Sequence, residues 1–337
     1  MAWHDYGERF YGYWKKAVLT AQQIFNNLLP YLWLRPERAV WDSLELEAVS
    51  KILLPSLKSP SLEYGCTDGF NTFTMLGGKL SFECDDYIDI PDIQNDSEND
   101  VNKDFFSVMP NDYQPKIICS PKTQFDIGLS WKSSHLKRAE RLGIYKKLSI
   151  MNFDIIESKK FQKFQTIWAP QLFWTNEKFI IEKLLDLQTM LNPKGNLITI
   201  LPNENQIKEN LIYKLKLPLL AERIIDNGIS NNFCKNARSL KEWEYIFNKA
   251  NLKIIEQNGF INPIANRFYQ FGFRPMFRPL LKMHSILKTN SNQSFLKLKE
   301  NWVDTVHQFV NPLISQNAIK LPSEKTLWTA YRLQRKS

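Results

Sequence analysis

Long apolar runs are absent from this chain. No window of 18 uninterrupted apolar residues occurs in its 337 positions, which argues against a spanning helix. The first residues, MAWHDYGERFYGYW, lack a basic stretch followed by a continuous apolar core. They do not read as a secretory signal, and the expected location is cytoplasmic. Cysteine pairing patterns are missing as well: Cys66, Cys84, Cys119 and Cys234 form no C-x-x-C pair and suit neither a zinc site nor a disulfide framework. The four histidines, His4, His135, His284 and His307, are scattered, so no metal is expected and no Ser/His/Asp triad can be argued. Acids are missing from Gln257 to Lys299, where seven Lys and Arg stand without one Asp or Glu.

Charge is therefore uneven. The chain carries a net +9, yet residues 85–104 hold eight acids and one base. A positive field over the rest would steer an anionic partner: nucleic acid, a membrane surface, or a phosphorylated or acidic small molecule. Hydrophobic residues at 43% and charged residues at 23% are ordinary for a globular protein and exclude global disorder. The length suits one elaborated domain or a domain with a cap.

Residues 1–40 are dense in aromatics, from Trp3 to Trp33, with helical spacing from Glu8 to Leu28. Asp42 followed by Glu45 has the form of a capping box, which predicts a helix that Pro55 ends. Leu62 to Tyr64 reads as a strand entering a turn with Gly65 and Gly69, then a helix. Glycines there let the backbone approach a ligand closely, and a helix N-terminus offers free N–H groups. Asn71 to Phe125 reads as an insertion with little regular structure. Further strands are expected at Phe125–Trp131, Lys147–Phe153, Phe164–Trp174, Asn196–Pro202, Leu252–Phe260 and Thr326–Gln334. Helices are expected between them: one carrying Leu136, Ala139 and Leu142 and stopped by Gly143, one from Asn176 to Leu191, and one opened by a Ser239–Glu242 capping box. A Pro193–Lys194–Gly195 turn separates the second of these helices from its strand. Alternation of this kind calls for an α/β fold with a mostly parallel sheet and helices on both faces.

The order of LEYGCTDGF, LNPKGNLITILPN and SLKEWEYIFNKANLKIIE resembles that of class I S-adenosylmethionine-dependent methyltransferases, type 11 branch. The tail IANRFYQFGFRPMFRPLLKM is similar to a bacterial subgroup with long insertions. The resemblance covers roughly residues 59–259 plus the final strand. It implies a Rossmann-like core at 59–261 with an insertion at 71–125, a helical cap at 1–58, a helical lid at 262–325 and a last strand at 326–337. It also implies S-adenosyl-L-methionine as cofactor, bound by Glu63, Gly65, Cys66, Asp68 and Gly69. Glu63 would accept from the cofactor's ammonium, and Asp68 would either cap the next helix or meet the same ammonium.

Four positions depart from the pattern. Thr67 replaces the middle glycine of the turn. Ser130 stands where an acid usually binds the ribose hydroxyls, with Asp126 as the alternative register. Asn152 stands where an Asp often meets the adenine amino group, and Gln165 replaces a common Asp. Losing a carboxylate to the ribose costs roughly 1.5–3 kcal/mol. The catalytic residue is not identifiable, because the sulfonium methyl is already activated and proximity supplies much of the rate. The expected acceptor is a small molecule or glycan, methylated at a hydroxyl, and Arg267, Arg274 and Arg278 are candidates for binding an anionic one. The aromatic-basic run also suits peripheral contact with a membrane surface, whereas no stacking motif or groove-reading helix supports nucleic acid. The alternative is a catalytically degenerate relative that serves as a binding module.

Overall fold

A computed structural model of the chain describes residues 18–84, 114–152, 162–170, 172, 179–210, 234–273, 276–290, 292–317 and 325–336. Helix α1 (Ala21–Leu28) is opened by Thr20, whose side chain accepts from the Gln23 N–H while Gln23 reaches back to the Thr20 N–H. Helix α2 (Pro36–Ser56) starts at Pro36, whose fixed φ suits the first helical position. Asp42 and Glu45 therefore lie inside α2 and do not cap it, contrary to the sequence expectation. Pro55 falls within the last turn, which the Ser56 hydroxyl ties down by donating to the Ile52 and Leu53 carbonyls. Helix α2 is buried on most sides, with the charged Glu37 and Asp42 among its buried residues.

Strand β1 (Ser61–Tyr64) leads through the glycine turn into α3 (Phe70–Met75). The helix expected after the turn is α3, and the stretch expected to hold little regular structure contains a small antiparallel pair, β2 (Lys79–Leu80) with β3 (Ile117–Cys119). Then follow β4 (Phe125–Ser130), α4 (Ser133–Leu142), β5 (Tyr145–Ile150) and β6 (Phe164–Ala169). Gly143, at φ 64°, ends α4 as its left-handed cap. The chain turns straight into β5, two residues ahead of the expected start.

Helix α5 (Ile180–Thr189) stops short of Leu191, which already belongs to β7 (Leu191–Pro202). Leu191 pairs with Phe164 and the register then shifts, so Pro193–Lys194–Gly195 sits inside the strand and is no separate turn. Only glycine fits at 195, since a Cβ there would lie 2.7 Å from the Phe164 carbonyl. Helix α6 (Asn205–Lys208) is one turn. Helix α7 (Leu240–Lys249) carries the reciprocal Ser239–Glu242 capping box, and β8 (Leu252–Phe260) follows. Helices α8 (Pro263–Phe271), α9 (Phe277–Asn290) and α10 (Asn292–Asn317) precede β9 (Trp328–Arg335). Among the described residues no helix is long and apolar enough to cross a membrane.

Seven strands form one sheet in the order β5-β4-β1-β6-β7-β9-β8. All neighbours pair in parallel except β9, which is antiparallel to both β7 and β8. This is a Rossmann-like α/β sheet with one reversed strand slotted between the last two parallel ones. Trp328 and Tyr331, three apart on β9, point to opposite faces. Trp41 of α2 meets Trp328 at 5.8 Å between ring centroids, and Phe247 of α7 meets Tyr331 at 5.2 Å. Helices thus cover both faces.

Helices α8 and α10 pack on α2, and Trp302 of α10 donates its indole N–H to the Trp33 carbonyl. Lys299 of α10 is fully buried and donates to the carbonyls of Phe82 and Cys84, a tether from the late helices to the segment after β2.

Candidate functional site

The chain runs outward from β1 toward β4 and β5 on one side and toward β6 and β7 on the other. In such sheets ligands bind beyond the carboxyl ends of the strands, at this point of reversal. Here that rim carries the turn between β1 and α3. Three of its residues have left-handed backbone: Gly65 at φ 89°, Thr67 at φ 49° and Gly69 at φ 75°. Thr67 thus adopts the conformation glycine would, at a strain cost of about 1–3 kcal/mol. The backbone path of a glycine-rich turn survives the substitution.

The turn is tied to its neighbours. Gly65 and Cys66 donate their N–H groups to the Leu129 carbonyl of β4, at 3.0 and 2.8 Å. Gly69 donates to the Cys66 carbonyl, and Asp68 Oδ1 accepts from the Phe70 N–H at 3.1 Å. Asp68, one residue before the Gly69 cap position, thus holds the first N–H of α3. Cys66 is buried, and that burial pushes its thiol well above the usual range. A Cβ on Gly69 would stand 3.1 Å from the Tyr145 ring and 3.3 Å from Ala139, so the turn packs tightly on β5 and α4.

Glu63 faces inward. It is 2% exposed, and both its oxygens are engaged: Thr72 donates to Oε1 and Tyr145 to Oε2, each at 2.8 Å. Burial raises its pKa to about 7 against the opposing pull of those two hydroxyls. The carboxylate expected to meet an ammonium is instead the hub of a buried network joining β1, α3 and β5.

Ser130 closes β4 and is fully buried, its hydroxyl 3.4 Å from Nδ1 of His135 on α4. Burial lowers the pKa of His135, and Trp131 stands edge-on to its ring at 5.9 Å. Asp126 lies at the opposite, amino end of β4. Burial works against its charge, but hydrogen bonds from Lys146, Ser59 and Ser61 hold its pKa at about 2. Asp126 therefore cannot occupy the strand-end position. Asn152 is exposed, two residues past β5. Its strand is two places from β1, roughly 10 Å across the sheet. Gln165 sits near the start of β6, where its N–H donates to the Pro60 carbonyl.

A second group of charges reaches the same rim from α2. This helix leads directly into β1, so its last turn lies at the amino ends of the parallel strands and its first at their carboxyl ends. Two contacts fix that placement. Thr166, the third residue of β6, donates to the Ser56 carbonyl, and Asn258, two residues short of the end of β8, donates to the Ala48 carbonyl. Glu45 and Asp42 stand about 4.5 and 9 Å further along the helix. Trp41 meets Trp328, which pairs with Pro202 and Phe260, the last residues of β7 and β8.

At this rim Arg35 Nε bonds Glu37 Oε1 at 3.0 Å, and Arg38 Nε lies 3.4 Å from Asp42 Oδ2. The side chain of Asn71, on the first turn of α3, lies beside the Asp42 carboxyl. Asp42 is 7% exposed, and its Oδ2 takes no hydrogen bond from any described residue; the same holds for Glu37 Oε2. Burial raises the pKa of Asp42, while Arg38 and Arg35 pull it down. Glu45 is half-buried. Burial and the charge of Asp42 raise its pKa to about 8. Tyr31, in the link before α2, packs its ring at a tilt against Phe70, the first residue of α3, with 4.0 Å between centroids. A small cleft lies beside Asp68, walled by Tyr31, Phe70, Leu80, Arg138 and Leu142.

The structure thus brings Gly65, Cys66, Asp68, Gly69 and Ser130 to one rim, with Glu63 beneath it and Asn152 at the margin. Arg267, on α8, pairs with Glu209 at 3.0 Å. Arg274 and the side chain of Arg278 lie outside the described residues. His135, Asp42 and Glu45 were not expected at the site. An acid pair three apart reads equally as a cap, and only the Pro36 start reveals it as a helix face. Among the described residues no group of His, Cys, Asp and Glu could hold a metal ion.

No protein-family model and no curated protein matches the chain. Solved structures do. A SAM-dependent methyltransferase from Thiobacillus denitrificans, in complex with S-adenosyl-L-homocysteine, is 12% identical over 87% of this chain and 91% of that one, at a TM-score of 0.40. The CcbJ methyltransferase from Streptomyces caelestis is 8% identical over 87% and 90%, at 0.42. The [4+2]-cyclase SpnF is 10% identical over 95% and 98%, at 0.43. At these values the likenesses transfer no activity. These structures agree with this chain in fold class, a Rossmann-like α/β sheet flanked by helices.

Proposed function

We propose that the protein is an S-adenosyl-L-methionine-dependent methyltransferase acting on a hydroxyl of a small-molecule or glycan acceptor. The observation that supports this most is the β1–turn–α3 unit, where left-handed backbone at Gly65, Thr67 and Gly69 keeps the path on which a nucleoside cofactor's amino-acid end rests. The orphaned Asp42 oxygen beside Asn71 adds a polar group suited to that end of the ligand. When bound, the cofactor supplies a methyl group already activated on a sulfonium.

The work left to the chain is positioning and exclusion of water. Left-handed backbone at Gly65 and Gly69 shapes the turn, and the missing side chain at Gly69 lets it pack closely on Tyr145 and Ala139. Tyr31 and Phe70 roof the start of α3. Ser130 and Asn152 offer neutral hydrogen bonds where carboxylates are common in the resembling family. The acceptor would enter over the carboxyl ends of β6 and β7.

The test is a thermal shift with S-adenosyl-L-homocysteine. The wild type should gain stability equivalent to about 2.7 kcal/mol at a hundredfold excess over Kd. Gly65→Asp, which puts a side chain at φ 89°, should lose that gain while retaining its circular dichroism spectrum. An equal shift in both proteins would refute the placement.

A second reading has one observation in its favour. Ser130 is uncharged and fully buried, with its hydroxyl facing His135. A fold that keeps the turn but seals the ribose position would serve as a binding module without methyl transfer.

A further inference from the structure

From the charges on the first turns of α2, we infer that Asp42, Arg38 and Asn71, with Glu45 behind them, form the receptor for the zwitterionic amino-acid end of the cofactor. This rests on the methyltransferase reading and names the residues that do what Glu63 does not. An amino-acid end presents an ammonium and a carboxylate on the same carbon. Its complement is a carboxylate and a guanidinium side by side, and Arg38 Nε stands 3.4 Å from Asp42 Oδ2. The group lies next to the glycine turn, since Asn71 beside Asp42 is the second residue of α3.

Two facts separate this cluster from an ordinary tie between helices. Asp42 is more than nine-tenths buried, and its Oδ2 accepts no hydrogen bond among the described residues and is held only by the 3.4 Å ion pair with Arg38, so a donor arriving there supplies a hydrogen bond the fold leaves unmade. Glu45, one turn on, is half-buried beside Trp41, Asp42 and Arg38, so a second carboxyl stands behind the first. Glu63 offers the contrary case: its two oxygens already accept from Thr72 and Tyr145.

The experiment compares S-adenosyl-L-homocysteine with 5′-methylthioadenosine, which has the same nucleoside and thioether but no amino-acid end. Isothermal titration is run on the wild type, Asp42→Asn and Glu45→Gln, each checked for an unchanged melting profile. The wild type should bind the homocysteine compound about tenfold to a hundredfold more tightly than the truncated one. Asp42→Asn should lose most of that margin and bind 5′-methylthioadenosine as before; Glu45→Gln should lose a smaller part. A structural role would weaken both ligands together, which overturns the inference. An undiminished margin in both variants overturns it while leaving the methyltransferase reading intact. Binding of neither ligand to the wild type removes that reading and this inference together.

Discussion

Two buried acids near the same turn have opposite fates. Glu63, on β1, is held above its ordinary pKa by burial, yet each of its oxygens has a hydroxyl partner. Asp42, on α2, is also raised by burial, yet one of its oxygens has only an ion pair at 3.4 Å and no hydrogen bond. Burial alone therefore does not distinguish a structural carboxyl from a binding one. Hydrogen-bond satisfaction does, because a satisfied network resists opening and an unsatisfied oxygen favours an incoming donor.

The contrast can be broken most severely at Glu63. Glu63→Leu strands the Thr72 and Tyr145 hydroxyls without an acceptor in the core, and should cost roughly 2–5 kcal/mol of stability by denaturant titration. Glu63→Gln removes the charge, keeps an acceptor for one hydroxyl and requires the other hydroxyl to turn and accept from the new amide N–H. A pKa raised from 4.5 to about 7 means the folded state binds this proton more tightly than the unfolded state. The stability it brings is fully present below pH about 4.5 and is lost as pH rises through about 7, a fall of about 3 kcal/mol. Stability measured against pH should decline across that window in the wild type and be flatter by about that amount in Glu63→Gln.

Asp42→Asn sharpens the comparison from the other side. Neutralising a carboxyl that is already short of a partner should change stability by no more than about 1 kcal/mol, although ligand binding falls. The smallest effect is expected at Thr67→Gly. Relief of the left-handed strain at φ 49° exceeds the added freedom of the unfolded chain, and thermal melting should show a net gain of about 0.5 kcal/mol. A loss of stability there would mean the Thr67 side chain makes a contact that offsets its strain.

Local features were legible in the residues themselves. The Ser239 cap, the Gly143 stop and the strand entering Gly65 depend on neighbours within four positions, and they stand where the pattern puts them. Boundaries that depend on distant pairing were not legible. The early start of β7 follows from Leu191 meeting Phe164, and α2 begins at Pro36 although Asp42–Glu45 offered an equally good local start. The interior of the site was least visible. Nothing in a linear reading shows that Tyr145 donates to Glu63 across 82 positions or that Asn71 lies beside Asp42. Of the candidate arginines, Arg267 has its charge matched by Glu209, a partner 58 positions away.

The central claim is that this rim holds S-adenosyl-L-methionine. Isothermal titration of the purified wild type with that compound and with S-adenosyl-L-homocysteine tests it most directly. Micromolar dissociation constants for both, with one ligand per chain, are expected. No heat and no thermal shift at millimolar concentrations of either would contradict the claim and leave a sealed fold that binds something else.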